Sequence, residues 1–381
     1  MTRRRISRRA FLSTTASAAK ATLGATLLPR LLRPRSARAA ENPLVYSAFH
    51  ENMVTGAAPD TVQAAWVKAG VDACVKAMTG QSEVGRAWEA IFPGITAAKK
   101  IAIKVNCLNT SVYPQLATVS ALVEGMRSML GGTYPAANIC LFDNNLWTTG
   151  KVDACYGAAQ LDALGIVHGE DSYDPGTTVS VGGTTMYVSR SWAQADYGVC
   201  LAKMAPHQYY AGGLSGVIKN MMGAVSISSG TAFEAKQNNS GFHDGAPYTA
   251  FRDLWLNYAD QHLHLYLVDM LFAARHENES GWSRVVKRIT MGTDPAAVDS
   301  YNVDKINELG MSVVQPVTKA VPLALEAAGV GTTSYTLVEP AVSLAPAAAT
   351  RSQIDARLRA RRQGTATDAE VRQLIKSYRE Q

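Results

Sequence analysis

The sequence lacks several features that would assign it to a common class. No run of about 18 uninterrupted apolar residues occurs in its 381 residues, which excludes a bundle of membrane-spanning helices. None of the five cysteines lies in a C-x-x-C pair or beside histidines at metal-binding spacing, so the signatures of iron–sulfur, haem and zinc-ribbon proteins are missing. The Walker and G-x-S-x-G motifs are also absent, which argues against a P-loop nucleotide site and a serine hydrolase. The odd cysteine count leaves at least one thiol outside any internal disulfide, and the sequence does not choose a pair.

Acidic residues are missing from the first 40 residues, which hold ten of the 37 lysines and arginines. The rest of the chain carries 27 basic and 31 acidic side chains, so the pI of about 9.0 belongs to the amino-terminal segment. A mildly acidic main body argues against a broad nucleic-acid-binding surface. We therefore expect no nucleic-acid partner.

This basic segment has the parts of a twin-arginine export signal. Arg8 and Arg9 precede a weakly apolar run, and residues 37–39 (ARA) form a small-x-small cleavage site. Lys20 and many small polar residues make the run a poor membrane anchor. We expect residues 1–39 to be a signal peptide read by the Tat translocase, and the mature chain to be periplasmic or secreted without a transmembrane segment. The alternative is a basic arm that binds an acidic surface.

Strand patterns alternate with helix patterns between residues 61 and 309, which predicts an α/β fold. In this fold a mostly parallel sheet has helices on both faces. The stretch from Thr178 to Ser189, with two central glycines, predicts an inserted β-hairpin. We expect an α/β domain over residues 40–339, followed over residues 340–381 by a linker and a short helical carboxyl-terminal extension.

Several of the predicted strands end in polar residues. In open parallel sheets, ligands bind in the crevice beyond the carboxyl ends of the strands, so these side chains are expected to converge if the strands are neighbours. Taken singly, each is equally a solvated strand end. The residues are Lys104, Asn106, Asp143, Asn144, Lys203 and Asp269.

The segment between Cys200 and Ser226 has the most distinctive pattern in the chain. A Gly212-Gly213 turn leads into a short helical stretch that carries Lys219 and Asn220. Glycines before a helix let backbone N–H groups approach an anion, and a lysine supplies charge. The alternative is a helix with a glycine cap and a surface lysine.

Together these motifs resemble those of the domain of unknown function 362 family, over roughly residues 50–310. The resemblance implies the fold and the choice of residues, but no reaction. Ala205 stands where many members have a second lysine, which weakens a multi-lysine anion clamp, and the ferredoxin-like cysteine module of some members is missing. The matching motifs are K-x-N at 104–106, a strand ending in Asp143, the segment 203–207 with Lys203 and His207, G-x-x-x-x-x-K-N-x-x-G at 213–223, His243, and D-P-x-A-x-D at 294–299.

From these residues we hypothesise that the crevice binds a small anionic ligand. An acid–base enzyme is favoured because acids, bases and lysines share one cleft. The alternative is a non-enzymatic periplasmic binding or scaffold protein whose carboxyl-terminal helices dock a partner. The cofactor stays unknown: a metal is conceivable, but no ligand spacing such as H-E-x-x-H is present. The predicted roles are charge neutralisation by Lys104, Lys203 and Lys219, orientation by Asn106, Asn144 and Asn220, and proton transfer or metal binding by Asp143, His207, His243 and Asp269.

Overall fold

A computed structural model describes residues 42–143, 151–169, 172–207, 212–227, 230–231, 242, 246–276, 278–311, 317–344 and 351–379. The signal segment, Asn144 and His243 lie outside these ranges. The strands are β1 (Leu44–Phe49), β2 (Ile101–Lys104), β3 (Ile139–Phe142), β4 (Val167–His168), β5 (Ser172–Val181), β6 (Thr184–Ser189), β7 (Tyr197–Met204), β8 (Val225–Ser226), β9 (Gly230–Thr231), β10 (Leu263–Ala273), β11 (Arg284–Gly292) and β12 (Thr336–Val338).

Eight of these strands form the main sheet, in the order β12-β1-β11-β10-β7-β2-β3-β4. The pairs β10–β7, β7–β2, β2–β3 and β3–β4 are parallel, whereas β11 runs antiparallel to both of its neighbours. The predicted α/β fold with a mostly parallel sheet is therefore confirmed. Because β10, β7, β2 and β3 run the same way, their carboxyl ends meet at one edge of the sheet.

The predicted β-hairpin is present as β5 and β6, joined at Gly182 and Gly183. Both glycines have positive φ, at 56° and 78°, which is the conformation that a type I′ hairpin turn requires. The hairpin does not extend the main sheet. It forms a second sheet of four strands, in the order β8-β6-β5-β9, in which each pair is antiparallel.

Helices cover both faces of the main sheet. Alternation along the strands explains why: in β2, Ile101 and Ile103 pack on one side, and Ala102 packs on the other. The helices are α1 (Ala64–Thr79), α2 (Val84–Ile91), α3 (Leu116–Arg127), α4 (Met129–Gly132), α5 (Lys151–Tyr156), α6 (Ala158–Leu164), α7 (Arg190–Ala193), α8 (Val217–Asn220), α9 (Thr249–Leu254), α10 (Asp260–His262), α11 (Pro295–Glu308), α12 (Ala320–Ala327), α13 (Arg351–Arg362) and α14 (Asp368–Arg379).

Two large hydrophobic cores lie in the described parts of the chain, beside a small third cluster of Val112, Ala205 and Ala274. The first, which we call the α3 face, lies between the sheet and α1, α2 and α3 and includes the buried Trp88. The second, which we call the α11 face, lies between the sheet and α8, α9 and α11 and includes the buried Trp255. None of the helices in the described ranges is both long and apolar enough to cross a membrane.

Candidate ligand site at the carboxyl ends of the strands

Lys104 ends β2, and Asp143 directly follows β3, the next strand in the sheet. The parallel pairing places both residues at the same edge, and Nζ of Lys104 lies 2.7 Å from Oδ1 of Asp143. Both side chains are buried, with exposures of 2% and 7%. Lys104 and Asp143 therefore converge as the strand ends predict, and their contact is an internal ion pair.

The ammonium group of Lys104 is saturated. It donates to Asp143, to the carbonyl oxygen of Val105 at 2.7 Å and to Oδ1 of Asn220 at 3.0 Å. An ammonium has three protons, so these three acceptors use its full donor capacity. The other carboxylate oxygen of Asp143 accepts the backbone N–H of Cys107. Lys104 and Asp143 thus hold the edge of the sheet together.

Asn220, at the end of α8, connects that helix to the sheet. Its amide nitrogen donates to the carbonyl oxygens of Lys104 and Leu201, each at 3.2 Å, while its oxygen accepts from Lys104. These contacts join α8 to β2 and β7. The asparagine of the K-N-x-x-G motif is therefore a positioning residue that fixes where Lys219, its neighbour, sits.

The backbone N–H groups at the start of α8 are already bound by a carboxylate side chain of the protein itself. The carboxylate of Asp299, on α11, accepts the backbone N–H groups of Val217 at 2.8 Å and Ile218 at 2.9 Å. Burial raises the pKa of Asp299 to about 7. The glycine-rich turn predicts a binding site for an external anion, but the N–H groups of Val217 and Ile218 at the start of α8 bind Asp299 instead.

A second polar group lies on the α3 face of the sheet. Lys203 and Asp269 are register partners on β7 and β10, and they share this face with Leu201 and Leu267. The carboxylate of Asp269 accepts the N–H of Leu271 and two donors at 2.7 Å, the N–H of Gln115 and the hydroxyl of Thr118. Lys203 is fully buried and donates to the carbonyl oxygen of Val112 at 2.7 Å. The predicted residues therefore form two groups on opposite faces rather than one cluster.

One segment links the two groups. Residues 105–115, the β2–α3 connection, supply the N–H of Cys107 to Asp143, the carbonyl of Val112 to Lys203 and the N–H of Gln115 to Asp269. In the same segment Asn106 donates to the hydroxyl of Ser215 at 3.2 Å. The connection therefore passes from the α11 face to the α3 face and has contacts on both.

The remaining predicted residues lie in the loop and helix that follow β7. His207 is buried, and its backbone N–H donates to the carbonyl oxygen of Gly213 at 2.9 Å. Lys219 is 7% exposed. Within the described parts of the chain, no three histidine, cysteine, aspartate or glutamate side chains are grouped as metal ligands would be.

Sequence reasoning missed several members of the site. Asp299, named above only as the end of the D-P-x-A-x-D motif, caps α8. Tyr156, at the end of α5, is buried, and no partner in the described residues meets its hydroxyl with hydrogen-bond geometry. Burial raises its pKa well above the usual value, as do the neighbouring Cys107 and Cys155. No local pattern marks such residues, because their roles depend on contacts distant in sequence.

The buried carboxyl group of Asp269 should make the free energy of unfolding depend on pH. Burial raises the pKa of Asp269 to about 6, so the folded state binds this proton more tightly than the unfolded state does. The free energy of unfolding should then fall as the pH rises from about 4 to about 6. Asp269→Asn should reduce that slope by up to about 1.4 kcal/mol per pH unit, measured by urea unfolding at several pH values. An unchanged slope would contradict the assignment, and the exposed Asp60→Asn is the control that should leave it unchanged.

No curated protein matches the chain. Among solved structures, the lactate racemase apoprotein from Thermoanaerobacterium thermosaccharolyticum is similar, at 15% sequence identity and a TM-score of 0.39. The similarity covers 59% of this chain and 54% of that chain, so our chain spans about half the length of that protein.

A family model described as "Domain of unknown function (DUF362)" matches residues 101–304. This match runs from β2 into α11 and includes each of the predicted site residues. It covers more than half of the sequence. The chain therefore belongs to the DUF362 family.

Proposed function

We propose that this protein is exported and binds a small anionic ligand at the carboxyl ends of β2, β3, β7 and β10, where it performs acid–base chemistry. The observation that carries the proposal is the concentration of buried lysines at this edge. Lys104, Lys203 and Lys219 are 2%, 0% and 7% exposed. Lysine is seldom this buried unless its charge is matched nearby, so three buried lysines make this edge of the sheet favourable for negative charge.

The described carboxyl groups supply part of that charge. Asp143 is paired with Lys104. The pKa values of Asp269 and Asp299 are raised to about 6 and about 7 by burial, so near neutral pH these two groups together carry less than two full negative charges. These two carboxyl groups are thus partly protonated near neutral pH, and an anionic ligand would add favourable negative charge at this edge of the sheet.

Asp269 is the best candidate for proton transfer. A general acid or base works best when its pKa is near the working pH, and burial moves this carboxyl in that direction. Its register partner Lys203 can hold an anionic substrate beside it. Tyr156 adds a buried hydroxyl in the same region that can donate to a ligand oxygen. Asp143, His207 and His243 keep their proposed roles in proton transfer or metal binding.

The amino-terminal segment supports export. Paired arginines, a modest apolar run and the small-x-small site at residues 37–39 occur together in front of the first described strand. The Tat route carries folded proteins, so the site would be assembled before export.

A second candidate function is a scaffold whose tail docks a partner. Helices α13 and α14 pair with each other through ion pairs, Arg357 with Glu370 and Arg361 with Asp368. A helical pair of this kind can present a surface of its own. If deleting residues 340–381 abolished partner association and left anion binding intact, the scaffold function would be favoured.

The proposed function is tested on protein purified from the periplasm of its own source. Native mass spectrometry with metal analysis should show a chain that begins near Ala40 and carries a small anion. In titration calorimetry with phosphate, succinate and citrate, Lys219→Met should weaken binding of the preferred anion about tenfold or more, because a charged hydrogen bond is worth about 1.5–3 kcal/mol.

The matched control is Lys99→Met. Lys99 pairs with Asp196 on the surface, just before the amino end of β2 and thus at the far edge of the sheet. This variant should bind the anion as the wild type does. A periplasmic protein that carries no small molecule and binds none of the three anions would refute the proposed function.

A further inference from the structure

We propose that Cys107 and Cys155 form a disulfide bond in the mature protein. Cys107 lies in the β2–α3 connection, and Cys155 lies in α5. The thiol of Cys155 contacts the backbone carbonyl oxygen of Cys107 at 3.9 Å, which places the two residues side by side. Both belong to the core of the α3 face. The sequence left the pairing of its five cysteines open, and this juxtaposition selects one pair.

The other three cysteines are engaged elsewhere. The thiol of Cys74, on α1, lies 3.8 Å from the carbonyl oxygen of Ile289 on β11. The thiol of Cys200 lies 3.3 Å from the carbonyl oxygen of Val217 and accepts from the amide of Asn220. Cys140 packs against the core of the α11 face, on the other side of the sheet from the proposed pair.

The bond forms by thiol–disulfide exchange with a disulfide-bearing oxidant, of the kind that an oxidising compartment supplies. Cys155 is the more exposed residue of the two, at 8% against 0% for Cys107, so we assign the first attack to its sulfur. Its thiolate attacks the oxidant, forms a mixed disulfide and releases one thiol of the oxidant. The Cys107 thiolate then attacks the Cys155 sulfur and releases the second thiol. The protein loses two protons and two electrons, and the oxidant's disulfide is reduced to two thiols.

The bond would tie together the ends of two neighbouring strands. The backbone N–H of Cys107 donates to Asp143, which follows β3, and α5 is the next described helix after that strand. The cross-link would therefore fix the β2–α3 connection against α5, beside the hydroxyl of Tyr156. It does not depend on which ligand the site binds, or on whether it binds one.

The test uses the whole mature chain. Reduced protein is incubated with oxidised glutathione at about pH 8.5, because burial holds the pKa of the Cys107 thiol well above its usual value. The protein is then denatured and alkylated with iodoacetamide, and its mass is measured by mass spectrometry. Three alkyl groups are expected on the oxidised protein and five on the reduced protein, with a peptide that links residues 107 and 155. The melting temperature of the oxidised form should be about 5 °C higher.

Two variants complete the test. Cys155→Ser has four cysteines and should take up four alkyl groups after oxidation. Cys74→Ser also has four, keeps the proposed pair and should take up two. Five alkyl groups on oxidised wild-type protein, or a linked peptide that joins any other two cysteines, would overturn the proposal. The wild-type comparison needs no substitution, so it stands even if a variant folds poorly.

Discussion

Replacing Lys104 with methionine is expected to lower the free energy of unfolding by about 3–5 kcal/mol, because it leaves the carboxylate of Asp143 buried without its cation. It also removes the hydrogen bonds that the ammonium group donates to the carbonyl oxygen of Val105 and to Oδ1 of Asn220. Methionine has a similar length, so packing is largely kept and the loss reports on charge and hydrogen bonding. Urea unfolding followed by circular dichroism measures the effect.

Two further variants make this result specific. Lys100→Met, at an exposed position just before the same strand, should stay within about 0.5 kcal/mol of the wild type. The double variant Lys104→Met/Asp143→Leu should recover part of the loss, since it removes the uncompensated charge, and its effect should be smaller than the sum of the two single effects. If Lys104→Met cost less than about 1 kcal/mol, the ion pair would not hold the sheet edge as described.

Gly216→Ala is expected to lower the free energy of unfolding nearly as much as Lys104→Met does. A Cβ atom at this position would lie 2.1 Å from Oδ1 of Asp299, so α8 and the carboxylate would have to separate. We expect overpacking to lower the free energy of unfolding by about 1–3 kcal/mol. Weaker hydrogen bonds from the N–H groups of Val217 and Ile218 to Asp299 should lower it by about 1–2 kcal/mol more. Anion affinity should fall as well, because Lys219 lies on the displaced helix. Unfolding measurements and calorimetry on the same preparation give both values.

Gly281→Ala is the matched control, since nothing lies within 4 Å of a Cβ atom placed there and its φ is not positive. It should change stability by no more than about 0.5 kcal/mol. Combining Gly216→Ala with Asp299→Ala should make room for the methyl group, so the double variant should lose less than the sum of the two single variants. Strictly additive losses would show that the close approach of Gly216 to Asp299 does not determine the position of α8.

Much of the sheet could be predicted from local patterns. Buried apolar runs mark β2, β3 and β7. The Asp294-Pro295 pair is a typical helix start, and the Asp294 side chain accepts the N–H of Ala297 at the start of α11. The contact between Lys104 and Asp143 followed from the rule that parallel strands end at one edge. Residue type and period were sufficient for these elements, whereas the contact also required β2 and β3 to be neighbours, which the structure shows.

Other features depended on partners far away in sequence. Strands β1 and β12 were not predicted, because each is held in the sheet by pairing across more than 200 residues rather than by a local pattern. Helix α3 ends at Arg127 although apolar residues continue to Leu130, because Leu130 and Gly131 adopt positive φ. The capping of α8 by Asp299 spans about 80 residues. Such contacts are products of the assembled fold and leave no periodic signal.

The β2–α3 connection has a consequence for how the family can vary. Irregular surface segments usually tolerate insertions and deletions, since few of their backbone groups are engaged. This one is anchored at Cys107, Val112 and Gln115 to side chains on both sides of the sheet. Adding or removing a single residue between two anchors would shift at least one of them out of reach, so homologues should keep the length of this loop even where its sequence changes.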